Sequence, residues 1–168
     1  MLRLIIDKLG DGHDDLFLKI DNMPSFIGIS DSYFVLDFLE IDEKEIKNQN
    51  ITEDSILSFG AIKLIDYWID KIKALESGQV TFIPFDLRDE YIGGLDIEKT
   101  KLGYKVKITS TDKIHGFEVC KSNIDNLVEE NKLTFIQANK TEWLISEQSL
   151  YDGLEWSKKE ITNAQQCV

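Results

Sequence analysis

The longest periodic pattern of apolar residues begins after Thr52 and predicts a central helix over about residues 52–77. Its apolar positions recur at steps of three and four residues, which places them on one side of a helix. That side carries Leu57, Ala61, Leu64, Trp68, Ile72 and Leu75. Thr52 is suited to cap the helix, and Gly78 can adopt the left-handed conformation that ends one. Gly60, inside the predicted helix, lowers its stability by about 1 kcal/mol relative to alanine. A helix with so broad an apolar face has to pack against another layer.

Most other apolar residues alternate with polar ones or form short runs, which predicts β-strands. The predicted strands are 2–6, 16–20, 25–29, 33–41, 80–85, 91–97, 104–108, 116–121 and 133–137. The segment 33–41 is apolar on both faces except at two acids, so we expect the strongest strand of the first third there. Pro84 indicates that the strand over 80–85 ends there or lies at a sheet edge, and Gly93 and Gly94 indicate a bulge or a point of close approach.

The order of these elements predicts an α+β fold. The strands after residue 79 follow one another through short loops, which is typical of an antiparallel meander. We therefore expect a meander-rich antiparallel sheet, the long helix of residues 52–77 packed on it, and one or two shorter C-terminal helices, the first capped by Ser122 and the last beginning at Ser146. The 168 residues contain no linker-like stretch and predict a single domain, 1–168. Its parts are acidic N-terminal strands with a polar loop (1–50), the helix (52–77), strands and short helices (79–160) and a loose tail (161–168).

Charge narrows the classes of partner. The formal net charge is −12, from 31 acidic and 19 basic residues. Residues 1–55 hold 13 of the acids and 5 of the bases, a net charge of −8. Such a field repels nucleic acid and anionic membranes and attracts basic partners, although solubility alone is the simpler explanation. No apolar run is long enough to cross a bilayer, and no signal peptide is evident, so we expect a cytoplasmic protein without nucleic-acid or membrane partners.

Motifs for catalysis or metal binding are missing from the sequence. The two histidines, His13 and His115, lack the spacing of metal ligands. No nucleophile elbow, phosphate-binding loop or dinucleotide fingerprint follows a predicted strand. Cys120 and Cys167 are not expected to form a disulfide in a reducing compartment. We expect no catalytic residue, no metal site and no cofactor.

The segment 85–91 concentrates charge between two predicted strands and admits three interpretations. In the first, Asp86 or Asp89 caps the turn and Arg88 pairs with a neighbour. In the second, the acids Asp86, Asp89 and Glu90 with Tyr91 form an exposed patch that binds lysine or arginine. In the third, Asp86 and Glu90 are a carboxylate pair for acid–base chemistry. We rank the structural interpretation first and the catalytic one last.

A second acidic stretch contains Asp37, Glu40, Asp42, Glu43 and Glu45. Such a run is usually a solvated face. Asp37 and Glu40, however, interrupt an otherwise apolar segment, so carboxylates there would lie beside apolar side chains. That combination suits a surface that binds a basic protein.

Three segments carry a resemblance: IPFDLRDEYIGGL (residues 83–95), HGFEVCKSNID (115–125) and LISEQSLYDGLEWS (144–157). In these, and in being small and acidic, the chain resembles immunity proteins of bacterial contact-dependent growth inhibition and related polymorphic toxin systems. The resemblance implies a non-catalytic protein that neutralises a cognate basic toxin domain, often a nuclease, by covering its active site. The partner-binding residues expected from charge and exposure are Asp37, Glu40, Asp42, Glu43, Asp86, Asp89, Glu90 and Tyr91.

Two other functions stay open at this point. An enzyme using the 85–91 loop would bring Asp86 and Glu90 together in a pocket. A homodimeric adaptor would instead expose a large apolar patch.

Overall fold

The computed structural model describes residues 1–21, 23–138 and 141–165, and it has the predicted α+β fold. The described residues form α-helices α1 (Val35–Phe38), α2 (Glu43–Asn48), α3 (Glu53–Lys73), α4 (Ile124–Glu130) and α5 (Glu147–Gln165). Their strands are β1 (Leu2–Ile6), β2 (Leu16–Ile20), β3 (Gly28–Ser30), β4 (Val80–Arg88), β5 (Tyr91–Thr100), β6 (Gly103–Thr111), β7 (Ile136–Gln137) and β8 (Trp143–Ile145). Short 3₁₀ turns cover Gly116–Glu118 and Lys132–Thr134.

The strands form two antiparallel sheets where the sequence predicted one. The smaller sheet has the order β1-β2-β3, and the larger has the order β4-β5-β6-β7, with β8 also paired to β6. The β4–β6 meander is confirmed, and its turns are shorter than expected because β4 runs on to Arg88 and β5 to Thr100. The ladder shifts register at Phe85, so the bulged residue lies in β4, opposite the two glycines rather than at them. Gly94 is instead a point of close approach, because a Cβ there would lie 2.2 Å from the Ile83 carbonyl oxygen.

The central helix α3 lies where the periodicity placed it and ends earlier than expected. Ser55 Oγ accepts the Thr52 N–H at 3.0 Å, which stabilises the first turn. Of the predicted inward residues, all are buried except Leu57, which is half-buried. The last helical residue is Lys73, and Gly78 (φ 89°) lies in the turn that leads into β4.

Trp68 joins α3 to the larger sheet at the bulge. Its ring is fully buried against Phe85, with ring centroids 6.3 Å apart. Its indole N–H donates to the Pro84 carbonyl at 3.0 Å. The Pro84 carbonyl, beside the bulge, therefore accepts a hydrogen bond from a side chain of α3.

The strand predicted at 33–41 is wrong, because these residues form α1 and the turns around it. Phe34, Val35, Phe38 and Leu39 are buried, a spacing that one helical turn brings onto a single side. Gly60 of α3 makes room for this turn. A Cβ at residue 60 would lie 3.3 Å from Leu36 Cδ2.

The prediction of a polar loop at the end of the segment 1–50 is also wrong, because residues 43–48 there form the helix α2. A strand over 116–121 is wrong as well. That segment is a 3₁₀ turn whose following residues bond to α1, with the Lys121 N–H donating to the Phe38 carbonyl.

The C-terminal helices are confirmed with different boundaries. The first begins after Asn123 rather than Ser122, and the strand predicted over 133–137 keeps only Ile136–Gln137. The predicted loose tail begins inside α5, where Ile161 is buried. The end of that tail, including Cys167, lies outside the described residues. Helix α5 covers the edge of the smaller sheet, because Ser157 Oγ accepts the Leu4 N–H at 3.0 Å.

Candidate binding surface

Arg88, at the end of β4, joins three segments that are distant in sequence. Its Nη2 lies 2.7 Å from Asp14 Oδ1, its Nη1 3.2 Å from Asp31 Oδ2, and its Nε 3.1 Å from Asp86 Oδ1. The Asp14 hydrogen bond is the main reason that the pKa of Arg88 is raised. Asp31 is buried, so the guanidinium supplies the cation that a buried carboxylate needs. Arg88 thereby holds the loops of residues 10–15 and 30–33 against the end of β4.

Asp15 organises the backbone of those two loops. Its carboxylate is only 1% exposed and accepts hydrogen bonds from Gly12 N–H, Ser32 N–H and Ser32 Oγ at 3.1, 2.9 and 2.7 Å. Gly10 is required by this arrangement, because a Cβ at residue 10 would lie 2.3 Å from Asp15 Cβ. One buried side chain therefore sets the path of both loops.

Asp86 and Tyr91, two of the predicted binding residues, are hydrogen-bonded to each other. The Tyr91 hydroxyl donates to Asp86 Oδ2 at 2.5 Å. Burial, and then this hydrogen bond, raises the pKa of Tyr91 to about 12. Together with the Arg88 pair, this geometry matches the structural interpretation of the 85–91 segment, with side chains rather than backbone amides as the partners of Asp86.

Asp89 and Glu90 differ from these two, because both are exposed at the turn between β4 and β5. Asp86 lines a cavity of about 250 Å³ with Tyr91, and Glu90 is not among its lining residues. The pair expected for an enzyme is thus divided between a half-buried site and an exposed turn.

Exposed aromatic side chains flank this turn. Tyr33 is 45% exposed, and its pKa is raised by burial and then by negative charges that include those of Asp89 and Glu90. On the other side, His115 Nδ1 donates to the Asp89 carbonyl at 2.7 Å, and the Phe117 ring stacks on the imidazole at 5.5 Å. Phe117 is 66% exposed. We call Tyr33, Asp89, Glu90, His115 and Phe117 the turn surface.

Most of this surface is not predicted by the sequence pattern. The pattern predicts a strand at Tyr33 and gives no relation between residues 115–117 and the acidic turn. The acidic loop around His13 was a signal that could have been used. His13 Nδ1 lies 3.3 Å from Asp31 Oδ2, and its ring centroid lies 5.3 Å from that of Tyr33.

In the second acidic stretch, Asp37 and Glu40 are exposed on and after α1. Glu40 has a positive φ of 57° and accepts hydrogen bonds from Ser122 N–H and Oγ at 2.9 and 3.0 Å. Its carboxylate therefore connects the end of α1 to the segment before α4.

Asp42 and Glu43 both have partners within α2. Asp42 caps the helix by accepting the Glu45 N–H at 2.8 Å. Glu43 forms an exposed ion pair with Lys47 at 3.0 Å. These contacts are typical of a solvated helix.

An adaptor function would need exposed apolar residues, and some lie on the outer face of the smaller sheet. Phe26 and Ile29 are 43% and 46% exposed. The Phe26 ring lies 4.8 Å from that of Phe17, which pairs with Ile29 across β2 and β3.

In residues 1–21, 23–138 and 141–165, no three His, Cys, Asp or Glu side chains are placed to hold a metal ion. Among the helices of those residues, none combines the length and the apolar character needed to span a bilayer.

Comparison with known proteins yields no relative. No family model, no curated protein and no solved structure matches the chain.

Proposed function

We propose that this chain is a non-catalytic immunity protein that binds a basic protein toxin domain and covers its active site. The observation that carries the proposal is the turn surface, in which exposed Asp89 and Glu90 occur together with exposed aromatic rings. Phe117 is linked to Asp89 through His115, and the charges of Asp89 and Glu90 act on Tyr33. Arg88 and Asp15 support this surface from beneath. The proposed binding residues are thus Asp89 and Glu90 from the set expected from the sequence, with Tyr33, His115 and Phe117 added.

The chemistry of this surface suits lysine and arginine on the partner. Carboxylates pair with both cations, and aromatic rings attract them through their π faces. The net charge of −12 increases the rate of encounter with a basic protein, while desolvated aromatic contacts slow dissociation. Such a surface also competes directly for a positively charged substrate site.

Growth rescue tests the proposal. The chain is expressed in cells that carry the growth-inhibiting domain encoded beside its gene, as wild type and as the D89K/E90K variant. We expect rescue by the wild type and loss of rescue by the variant, because two charge reversals in the contact oppose a basic partner. Both residues are exposed at a turn, so the variant should fold, which circular dichroism checks.

The matched control is E129K/E155K, which changes the net charge by the same amount at two other exposed positions. We expect this control to keep rescue and to lower only the rate of association. Loss of rescue by both variants would mean that total charge, and not the turn surface, matters. Failure of the wild type to rescue growth or to bind the toxic domain would refute the proposed function.

A further inference from the structure

A cleft of about 680 Å³ opens beside Tyr33, between the 8–12 loop and the first half of α3. Among its described lining residues, the carboxylates are those of Asp11, Asp15 and Glu53, and the basic residue is Lys8. The formal charge of these residues is therefore −2. All three hydrogen-bond donors to Asp15 are neutral groups, so they leave its negative charge in place.

The remaining wall of the cleft is apolar. Leu36, Ile56 and Leu57 are half-buried along it, and Gly60 lines it without a side chain. Tyr33 stands at this wall and also belongs to the turn surface. The cleft is therefore continuous with the surface proposed above to bind the partner.

We propose that this cleft receives one arginine or lysine side chain of the basic partner. The apolar wall fits the methylene stem, the Tyr33 ring can face the cation, and Asp11 and Glu53 supply opposite charge. This inference rests on the proposed function and names the group that the partner inserts. Charge complementarity selects a basic side chain over an apolar one, since an apolar group would leave the Asp15 carboxylate without a cation.

The test uses n-butylguanidinium as a model of the arginine side chain and n-butylurea as its neutral counterpart. Amide signals of the ¹⁵N-labelled full chain are followed by NMR during titration. Gly10, Gly12 and Gly60 line the cleft and serve as reporters, and Gly78, in the turn before β4, is the control. We expect saturable shifts at the three reporters with the cation alone.

Variants of the charged lining residues show whether binding in the cleft depends on charge or only on its shape. We expect the exposed-site D11N/E53Q variant to weaken binding of n-butylguanidinium about tenfold and K8Q to strengthen it about twofold, as expected for partly screened ion pairs. The D112N/E129Q variant removes the same charge elsewhere and should bind like the wild type.

Unmoved reporters, equal shifts with n-butylurea, or equal losses in D11N/E53Q and D112N/E129Q would overturn this inference. Growth rescue that still depends on Asp89 and Glu90 would then leave the proposed function standing. The two proposals can therefore fail separately.

Discussion

The β4–β6 meander and the first fifty residues hold their shape through different hydrogen bonds. In the meander, paired backbone groups run along three long strands. In the first fifty residues, short elements are joined by loops that buried carboxylates of Asp15 and Asp31 fix in place. Asp14 and Glu40 in this region have positive φ angles of 49° and 57°, which residues other than glycine rarely adopt.

The difference shows where single side chains matter. A backbone ladder survives most substitutions, since no one side chain makes its hydrogen bonds. A loop fixed by one carboxylate loses its shape with that residue. The turn surface lies where the two regions meet, so it depends on both kinds of support.

The largest predicted effect lies in the core that supports the meander. Replacing Trp68 by alanine should lower the free energy of unfolding by about 3–5 kcal/mol, because a fully buried indole and its bond to Pro84 are lost. Urea denaturation followed by circular dichroism measures this. Trp156→Ala is the control, since that half-buried ring lies under the Arg3 guanidinium and should cost less. Equal losses would contradict the assigned role of Trp68.

The second-largest loss of stability is expected at Arg88, which joins the meander to the first fifty residues. Arg88→Met should cost about 2 kcal/mol, because it leaves the buried Asp31 carboxylate without its guanidinium partner. The value is below that of a fully buried pair because Arg88 is 28% exposed and solvent screens it. The same denaturation assay measures this loss. Lys47→Met removes a well-exposed pair with Glu43 and should change stability by less than about 0.5 kcal/mol. A similar cost for both variants would argue against Arg88 as the junction.

A loop substitution should act locally. Asp15→Ala removes three hydrogen bonds at a buried site and should cost about 2 kcal/mol. Hydrogen exchange should accelerate in residues 10–15 and 31–33 while β5 amides keep their protection. Asp112→Ala, at an exposed position, is the control. Acceleration throughout β5 would show that the two regions unfold as one unit.

The smallest effect lies inside the meander and depends on pH. Burial raises the pKa of Asp96, and the positive charge of Lys107 offsets this in part. Because the folded-state pKa lies above the unfolded one, ionisation costs stability as the pH rises through the folded value. Asp96→Asn should therefore stabilise the protein by less than about 1 kcal/mol near neutral pH, and the gain should vanish in acid, below both values. Thermal melts across that pH range measure it, and a variant less stable than wild type at neutral pH would refute it.

The sequence alone determined the elements whose pattern is long and regular. The helix α3, its buried face and the β4–β6 hairpins follow from periodicity and capping. Proline chemistry limits Pro84 to a strand end or a sheet edge, and the fold has it at the edge. Exposure of Asp89 and Glu90 at a turn also follows from the strands on either side. These features depend on neighbours within a few residues, which a sequence displays directly.

Tertiary structure decided the rest. The apolar run at 33–41 has the pattern of a buried strand, yet in the fold it forms a helical turn whose Val35 and Leu36 pack over Gly60 of α3. The meeting of Arg88 with Asp14, 74 residues away, has no local signal. Tyr33 and Phe117 come to flank one turn because loops from distant parts of the chain pack on it. Long-range contacts of this kind have no period in the sequence, and the fold alone brings them together.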